Sequence, residues 1–404
     1  MIPRKLLPNL LKLAGFYPVV VVTGPRQAGK TTLCRAAFPD KAYVSLESLD
    51  TREFAQTDPR GFLAEYHHGA IIDEIQQVPS LASYLQTEVD ERPTPGRFIL
   101  TGSQHFGISQ TISQSLAGRC GLLALLAPDW EELRQFPVVP DDLYTLLWQG
   151  SYPRIYDRNI PAHQWLADYT ATYVQRDVRQ VINIGDLRAF SGFIKLCAGR
   201  TAQEINLSAL GGDAGVSHNT ARAWLSVLET SYLIYRLPAW HGNIRKQVVK
   251  APKLHFLDSG LACYLLNIRE PDQLRHHPLR GAIFESWVVS ELYKAQVHGG
   301  EQPNLYHYRE SRGLEMDVLV NLGDRLCAIE AKSAATAATD FFNAFAPFAK
   351  RVRNSDLPAR IENAVVYGGE ESRQRSTARL IAWRDVGEAL RKPALPEKGK
   401  PLVP

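Results

Sequence analysis

Several features that would place this chain in a special class are missing from it. No stretch comes near the roughly 18 consecutive apolar residues of a membrane helix, so a membrane-spanning protein is not expected. Pro3, Pro8 and Lys12 interrupt the apolar start, which removes the core that a signal peptide would need. The five cysteines (Cys34, Cys120, Cys197, Cys263, Cys327) are scattered and never spaced C-x-x-C. That excludes a zinc ribbon or a disulfide framework and predicts buried thiols in a reducing cytoplasm. Neither sign of charge dominates: 46 Lys and Arg against 42 Asp and Glu leave a net +4. Such a balance permits a nucleic-acid surface without arguing for one. No internal repeat is present. What remains is an ordinary globular composition, 45% apolar and 22% charged, long enough for about two to four cores.

The most informative feature lies near the N-terminus. Gly24-Pro25-Arg26-Gln27-Ala28-Gly29-Lys30-Thr31-Thr32 fits the phosphate-loop pattern G-x-x-x-x-G-K-[ST]. The β-branched run Val19-Val20-Val21-Val22 precedes it, as a buried parallel strand would. Residues 31–38 can continue as a helix. In such a strand–loop–helix, the N–H groups of the loop residues (Gly24, Gln27, Ala28, Gly29, Thr32) and the positive helix end face phosphate. Lys30 adds a point charge, and the Thr31 hydroxyl can ligate magnesium.

Further along, Ala70-Ile71-Ile72-Asp73-Glu74 is an apolar strand ending in two acids. Asp73 would hold magnesium through water, and Glu74 would orient and polarise the attacking water. Arg97 to Gln104 is another apolar strand, ending in Thr101 and Ser103, either of which can sense a γ-phosphate. The plainer reading is a strand-to-turn exit. Arg119 can act as an arginine finger across a subunit boundary, or be an ordinary surface arginine.

Strands are expected near 18–23, 41–45, 69–73, 97–101 and 121–126, with helices between. That is a parallel α/β layer whose site lies at the strand C-termini. Pro137 to Asp142 reads as a linker, and residues 141 to about 235 as mostly helical. Residues 203–236 resemble a winged helix-turn-helix. A short helix over Glu204–Leu210 leads through a glycine-rich turn to a second helix, Val216–Leu225, capped by Ser217. Strands at 233–237 and 253–257 flank the basic span Arg245 to Lys250. Such a module contacts DNA in some proteins and other proteins in others.

From about 275 the character changes again. Residues 283–292 form an amphipathic helix carrying Glu285 and Glu291. Strands are expected at 305–309, 314–320 and 326–332, the last ending in Glu330-Ala331-Lys332. Glu330 and Lys332 share one face of their strand. With Asp317 on the neighbouring strand, they can hold a hard divalent cation and place an ammonium beside an attacking water, Glu285 completing the shell. A salt-bridged strand pair is the bland alternative. The lysine- and proline-rich tail after 386 is expected to be disordered.

Taken together, the phosphate loop, Ile72-Asp73-Glu74-Ile75-Gln76, Leu100-Thr101-Gly102-Ser103, Ser115 to Arg119, Tyr173-Val174-Gln175-Arg176-Asp177-Val178, Gly313 to Asp317 and Ile329 to Lys332 resemble a known family. These are the prokaryotic ATP-binding proteins that join an AAA-type P-loop ATPase domain to a C-terminal domain of the DUF4143 type. Where that family tends to have Glu-Val-Asp-Phe, this chain has Glu315-Met316-Asp317-Val318, keeping the acids. The resemblance implies a multidomain α/β chain: an AAA-type ATPase core (1–135), a helical and winged-helix middle (136–270), and a restriction-endonuclease-like C-terminal domain (271–386), followed by the tail. It implies ATP and magnesium as cofactors, self-association into a homo-oligomer, and an ATPase coupled to a nuclease-like domain that acts on, or is regulated by, nucleic acid. The alternative is a nucleotide-regulated switch, or a partner-binding ATPase, whose nuclease-like domain is inactive.

Overall fold

In a computed structural model, residues 2–103, 115–172, 186–240, 251–310, 313–352 and 360–391 are described. The five expected N-terminal strands are all present: β1 (Val19–Thr23), β2 (Ala42–Ser45), β3 (Ala70–Asp73), β4 (Phe98–Thr101) and β5 (Cys120–Ala124). They form one sheet in the order β2-β3-β4-β1-β5, and every pairing is parallel. The valine run is buried on both sides because side chains alternate along a strand. Val20 and Val22 pack with helices Leu7–Ala14 and Lys30–Ala37, while Val19 and Val21 pack with helices Leu49–Thr57, Pro59–Glu65 and Leu81–Glu91. The phosphate loop therefore leaves the C-terminal end of an inner strand.

The expected linker carries no element between helices Trp130–Leu133 and Leu143–Gln149. Beyond it lies a largely helical unit whose core is aromatic: Trp165 stacks on Tyr169 at 4.9 Å, and Phe190 and Phe193 meet Trp224 edge-on. The first short helix is displaced from its expected place. It spans Leu207–Asp213, not 204–210, because Asn206 caps it by accepting from the Ala209 N–H at 3.0 Å. Glu204 belongs instead to β6 (Gln203–Glu204), a strand too short to read from sequence. The second helix, His218–Thr230, begins as expected after Ser217, whose hydroxyl accepts from the Thr220 N–H. β7 (Ile234–Leu237) and β8 (Lys253–Phe256) then pair antiparallel, with β6 on the other side of β8. The basic span 245–250 and the 173–178 motif lie outside the described residues.

The C-terminal unit is a six-stranded mixed sheet in the order β13-β14-β12-β11-β10-β9. Its strands are β9 (Leu305–Arg309), β10 (Glu315–Asn321), β11 (Arg325–Lys332), β12 (Arg360–Tyr367), β13 (Arg373–Gln374) and β14 (Arg379–Ala382). Helix Arg280–His298 covers one face and helix Phe345–Val352 the other. The long helix is not amphipathic as expected. Ile283, Phe284, Trp287 and Val288 join the sheet's core, and Ser286, Glu291, Lys294 and His298 are buried as well. The reason is tertiary: its polar side packs on the other two units, as Glu291 binds the Trp130 N–H and Lys294 the Pro128 carbonyl. Nor does the ordered chain stop at 386. Val386 and Ala389 are buried in the helical run Trp383–Leu390, and the Arg379 guanidinium binds the carbonyls of Glu388 and Ala389. Residues 392–404 lie outside the described residues.

Candidate functional site

The loop after β1 has the geometry that phosphate needs. A Cβ on Gly24 would fall 2.0 Å from the Leu125 carbonyl oxygen, so the close approach of the two strands admits only glycine. Gly29, at φ +95°, turns the chain into helix Lys30–Ala37. Lys30 is 6% exposed, and its ammonium donates to the carbonyls of Gly24 at 3.0 Å and Pro25 at 2.8 Å, inside the loop's own curve. Burial lowers its pKa to about 8 against the pull of Glu74 and Asp73.

Asp73 ends β3 beside this lysine. Its carboxylate accepts from Thr31 Oγ1 at 3.0 and 3.1 Å, from Tyr43 Oη at 2.9 Å and from Thr101 Oγ1. Thr101 is thus an Asp73 partner. Glu74 sits at φ +57°, a left-handed conformation uncommon for a side chain of this kind. Gln76 Nε2 donates to Glu74 and, at 3.2 Å, to Ser103 Oγ, which itself lies 3.4 Å from Glu74. Burial raises the Glu74 carboxyl above its usual range, with Lys30 opposing. Ser103 therefore stands with Glu74.

A cavity of about 560 Å³, ample for a mononucleotide, is lined by Gln27, Ala28, Gly29, Lys30, Thr31 and Thr32, with Glu74 on its wall. Arg26 of the loop shares it, with three arginines from outside the motifs: Arg4, Arg154 and Arg158. Arg154 comes from helix Pro153–Asp157 of the middle unit and reaches Gln27 Oε1 at 3.4 Å. No motif marks Arg4, Arg154 or Arg158; the fold alone brings them to the loop. Arg119 is not brought to this cavity. It precedes β5, hence lies at the opposite end of a parallel sheet, and its guanidinium is held by Asp90 at 2.5 and 2.9 Å.

The second set of expected residues meets on β10 and β11, which pair antiparallel. Asp317 Oδ2 accepts from the Ala331 N–H at 2.9 Å. Lys332 Nζ lies 2.5 Å from Glu330 Oε2 and 3.7 Å from Asp317 Oδ2. Glu285 joins from the long helix, but through a residue the sequence reading missed: Lys253 of β8, whose Nζ is 3.0 Å from Glu285 and 2.7 Å from Glu315. Burial and the neighbouring Asp317 push Glu285 up to about 8 and Glu330 to about 7. Burial works against both lysine charges, yet the carboxylates around them raise each lysine's pKa. The expected metal trio Glu285, Asp317 and Glu330 is thus interleaved with two ammonium groups.

Among the described residues, the one group of three potential metal ligands with all ligand atoms within 4.8 Å lies elsewhere: Asp129, Glu132 and His298. Arg4 pairs with Glu132 at 3.1 Å and Lys5 with Asp129 at 2.6 Å, so its charge is already balanced by side chains. No described helix is long and apolar enough to cross a membrane.

The parallel sheet and the loop at its strand C-termini fit a P-loop ATPase core. Residues 17–134 match the family model described as AAA domain. Residues 280–385 match a domain of unknown function, DUF4143. Residues 140–272 match a further domain of unknown function, DUF8612. Uncharacterized protein Rv2008c of Mycobacterium tuberculosis and uncharacterized protein Mb2031c of Mycobacterium bovis are each 29% identical over 362 residues, spanning 87% of this chain and 77% of theirs. Among solved structures, the Walker-type ATPase PABY2304 of Pyrococcus abyssi is 15% identical at a TM-score of 0.38, covering 65% of this chain and 94% of that one. AMPPCP-bound DnaA from Aquifex aeolicus is 14% identical at a TM-score of 0.28, covering 55% and 85%. At such scores neither likeness bears on function.

Proposed function

We propose that the chain binds and hydrolyses ATP with magnesium at the β1 loop, and that its nucleotide state governs a nuclease-like C-terminal unit. The observation that carries the first half is the Thr31–Asp73 contact beside a buried Lys30. Thr31 and Asp73 would hold the magnesium, which would neutralise negative charge on the phosphates. Lys30 would exchange the Gly24 and Pro25 carbonyls for phosphate oxygens. Glu74 would orient the attacking water, with Ser103 and Gln76 fixing the carboxylate. Arg154 and Arg158, from the middle unit, would face the terminal phosphate in the same chain. Arg119, exposed at the far end of the sheet, would act only across a subunit contact within a homo-oligomer.

For the rest of the chain the proposed division is an ATPase unit (1–135), a middle unit (136–270) with a winged-helix part, and a nuclease-like unit from 271. The helix pair Leu207–Asp213 and His218–Thr230 followed by the β7–β8 pair supports a winged helix. His218, Asn219 and Arg222 are exposed on the second helix, where they would meet nucleic acid. Asp317 and Glu330, flanked by Lys332 on adjacent strands, support a divalent-cation site. The excess of carboxylates over ammonium groups, with two carboxyls pushed upward, fits a cation. A second reading, in which the nuclease-like unit binds without cleaving, draws support from Lys253 and Lys332 standing among those carboxylates.

One set of assays tests the proposal. ATP turnover is measured with and without single-stranded DNA, duplex DNA and RNA, beside magnesium- and manganese-dependent cleavage of each. ATP hydrolysis that responds to nucleic acid, with cleavage lost in Asp317→Asn, is expected. Turnover without any cleavage would favour the second reading, and no turnover in any condition would sink the first.

A further inference from the structure

Arg4 stands outside every motif, 7% exposed, between the phosphate loop and the rest of the molecule. Its Nη1 donates to the carbonyl of Ala28, inside the loop, at 2.8 Å. Its Nη2 donates to the carbonyl of Leu126 at 2.7 Å, and its Nε lies 3.1 Å from Glu132 Oε2. The Leu126 N–H in turn donates to His298 Nε2 at 3.1 Å. One buried guanidinium thus touches the loop's backbone and Leu126, whose N–H meets the last residue of helix Arg280–His298.

That helix grips the same segment at two further points on one face. Glu291 Oε2 accepts from the Trp130 N–H at 2.6 Å, and Lys294 Nζ donates to the Pro128 carbonyl at 3.2 Å. Glu291, Lys294 and His298 recur at helical spacing, so they form one clamp on residues 126–130. Near the other end of the helix stands Glu285, about 20 Å away at the α-helical rise. A buried guanidinium with fixed donors has no water to turn to, so displacement of Ala28 must either move Arg4 or leave a donor unpaired.

We propose that Arg4 is a positioning residue of the phosphate loop, and that through Leu126 and His298 it ties the loop to helix Arg280–His298. Nucleotide entering the loop then shifts the helix that carries Glu285. The inference rests on the proposed binding of nucleotide at the loop and adds the route by which that binding reaches the C-terminal unit.

The test uses the full chain and two measurements: calorimetry with a non-hydrolysable ATP analogue and magnesium, and hydrogen exchange of residues 126–134 and 280–298 with and without that analogue. In the parent chain, bound analogue is expected to change exchange in both segments by about fivefold or more, as a typical coupling between sites would. Arg4→Met should weaken the analogue about tenfold, the worth of a charged hydrogen bond, and erase the response of 280–298 at saturation. Arg4→Lys, able to reach one carbonyl but not both, should fall between. His298→Leu breaks the route without touching the loop, so it should keep the affinity and lose the helix response. If either variant, saturated with analogue, retains the parent's response in 280–298, the tie is refuted. A parent chain that binds analogue without any response there refutes it equally. Failure of the parent chain to bind the analogue at all is seen by calorimetry alone, and it overturns the nucleotide reading itself and this inference with it.

Discussion

Lys253 and Glu285 form a buried ion pair between two units of the chain, with Nζ and Oε1 3.0 Å apart and the lysine 2% exposed. Lys253 starts β8 of the middle sheet, whereas Glu285 lies on the helix that covers the C-terminal sheet. An ammonium from one unit thus neutralises part of an acidic cluster in the other. Removing one partner of such a pair leaves an uncompensated buried charge.

Lys253→Met should therefore destabilise the chain by about 3 kcal/mol or more, the range found when buried pairs are broken from one side. Lys253→Met combined with Glu285→Gln should recover a large part of that loss. Denaturant unfolding of the parent, both single variants and the double variant measures the coupling. Strict additivity would mean that the pair contributes nothing.

Lys30→Ala should abolish nucleotide binding, since the cation facing the β- and γ-phosphates is gone. Glu74→Gln should bind ATP as the parent does and lose turnover by about 100-fold or more, the usual worth of a positioned base. Equilibrium binding and steady-state hydrolysis separate the two. Turnover of Glu74→Gln at the parent rate would remove Glu74 from its assigned role.

Asp73 accepts from Thr31, Tyr43 and Thr101. Asp73→Asn should lower affinity for magnesium–ATP more than for metal-free ATP. Calorimetry in magnesium and in chelator gives the two values. An equal loss in both would show that Asp73 shapes the loop and does not serve the metal.

Acid should weaken the joint around His298. Burial lowers its pKa to about 3, with Arg4, Lys294 and Lys5 adding to the effect and Asp129 opposing it. His298 Nε2 accepts from Leu126, so the folded chain holds the ring neutral, with Glu132 3.6 Å from Nδ1. Below the ordinary histidine pKa, near 6.5, the unfolded chain takes up a proton that the folded one refuses, so stability falls as pH drops from there towards about 3. Between pH 7 and pH 5 that amounts to about 2 kcal/mol by linkage. Unfolding at the two pH values should show this loss in the parent and a smaller one in His298→Gln. Equal losses would mean that another group is responsible.

The N-terminal half was the more legible because its signals are local. A β-branched run, a glycine-rich loop and a helix start must be contiguous to cradle phosphate, and an apolar strand ending in Asp73-Glu74 is contiguous too. The left-handed turn at Glu74 was not legible, since it comes from the strand exit and not from the residue type. Asp317, Glu330 and Lys332 were found together because strand periodicity and antiparallel pairing are short-range rules. Lys253 was not, although it lies among the same carboxylates, because its approach depends on how two sheets pack.

Read along the chain, the strand positions, the phosphate loop and the acids near the ends of β3 and β11 were all legible. These follow from alternation, glycine conformation and hydrophobic burial, all of which act over a few residues. Tertiary packing set Arg119 at the far end of the sheet, brought Arg4 to the Ala28 carbonyl, and buried the polar side chains Glu291, Lys294 and His298 of helix Arg280–His298. Those depend on which surfaces meet between units, and a buried charge finds its partner across the fold wherever desolvation would otherwise leave it alone.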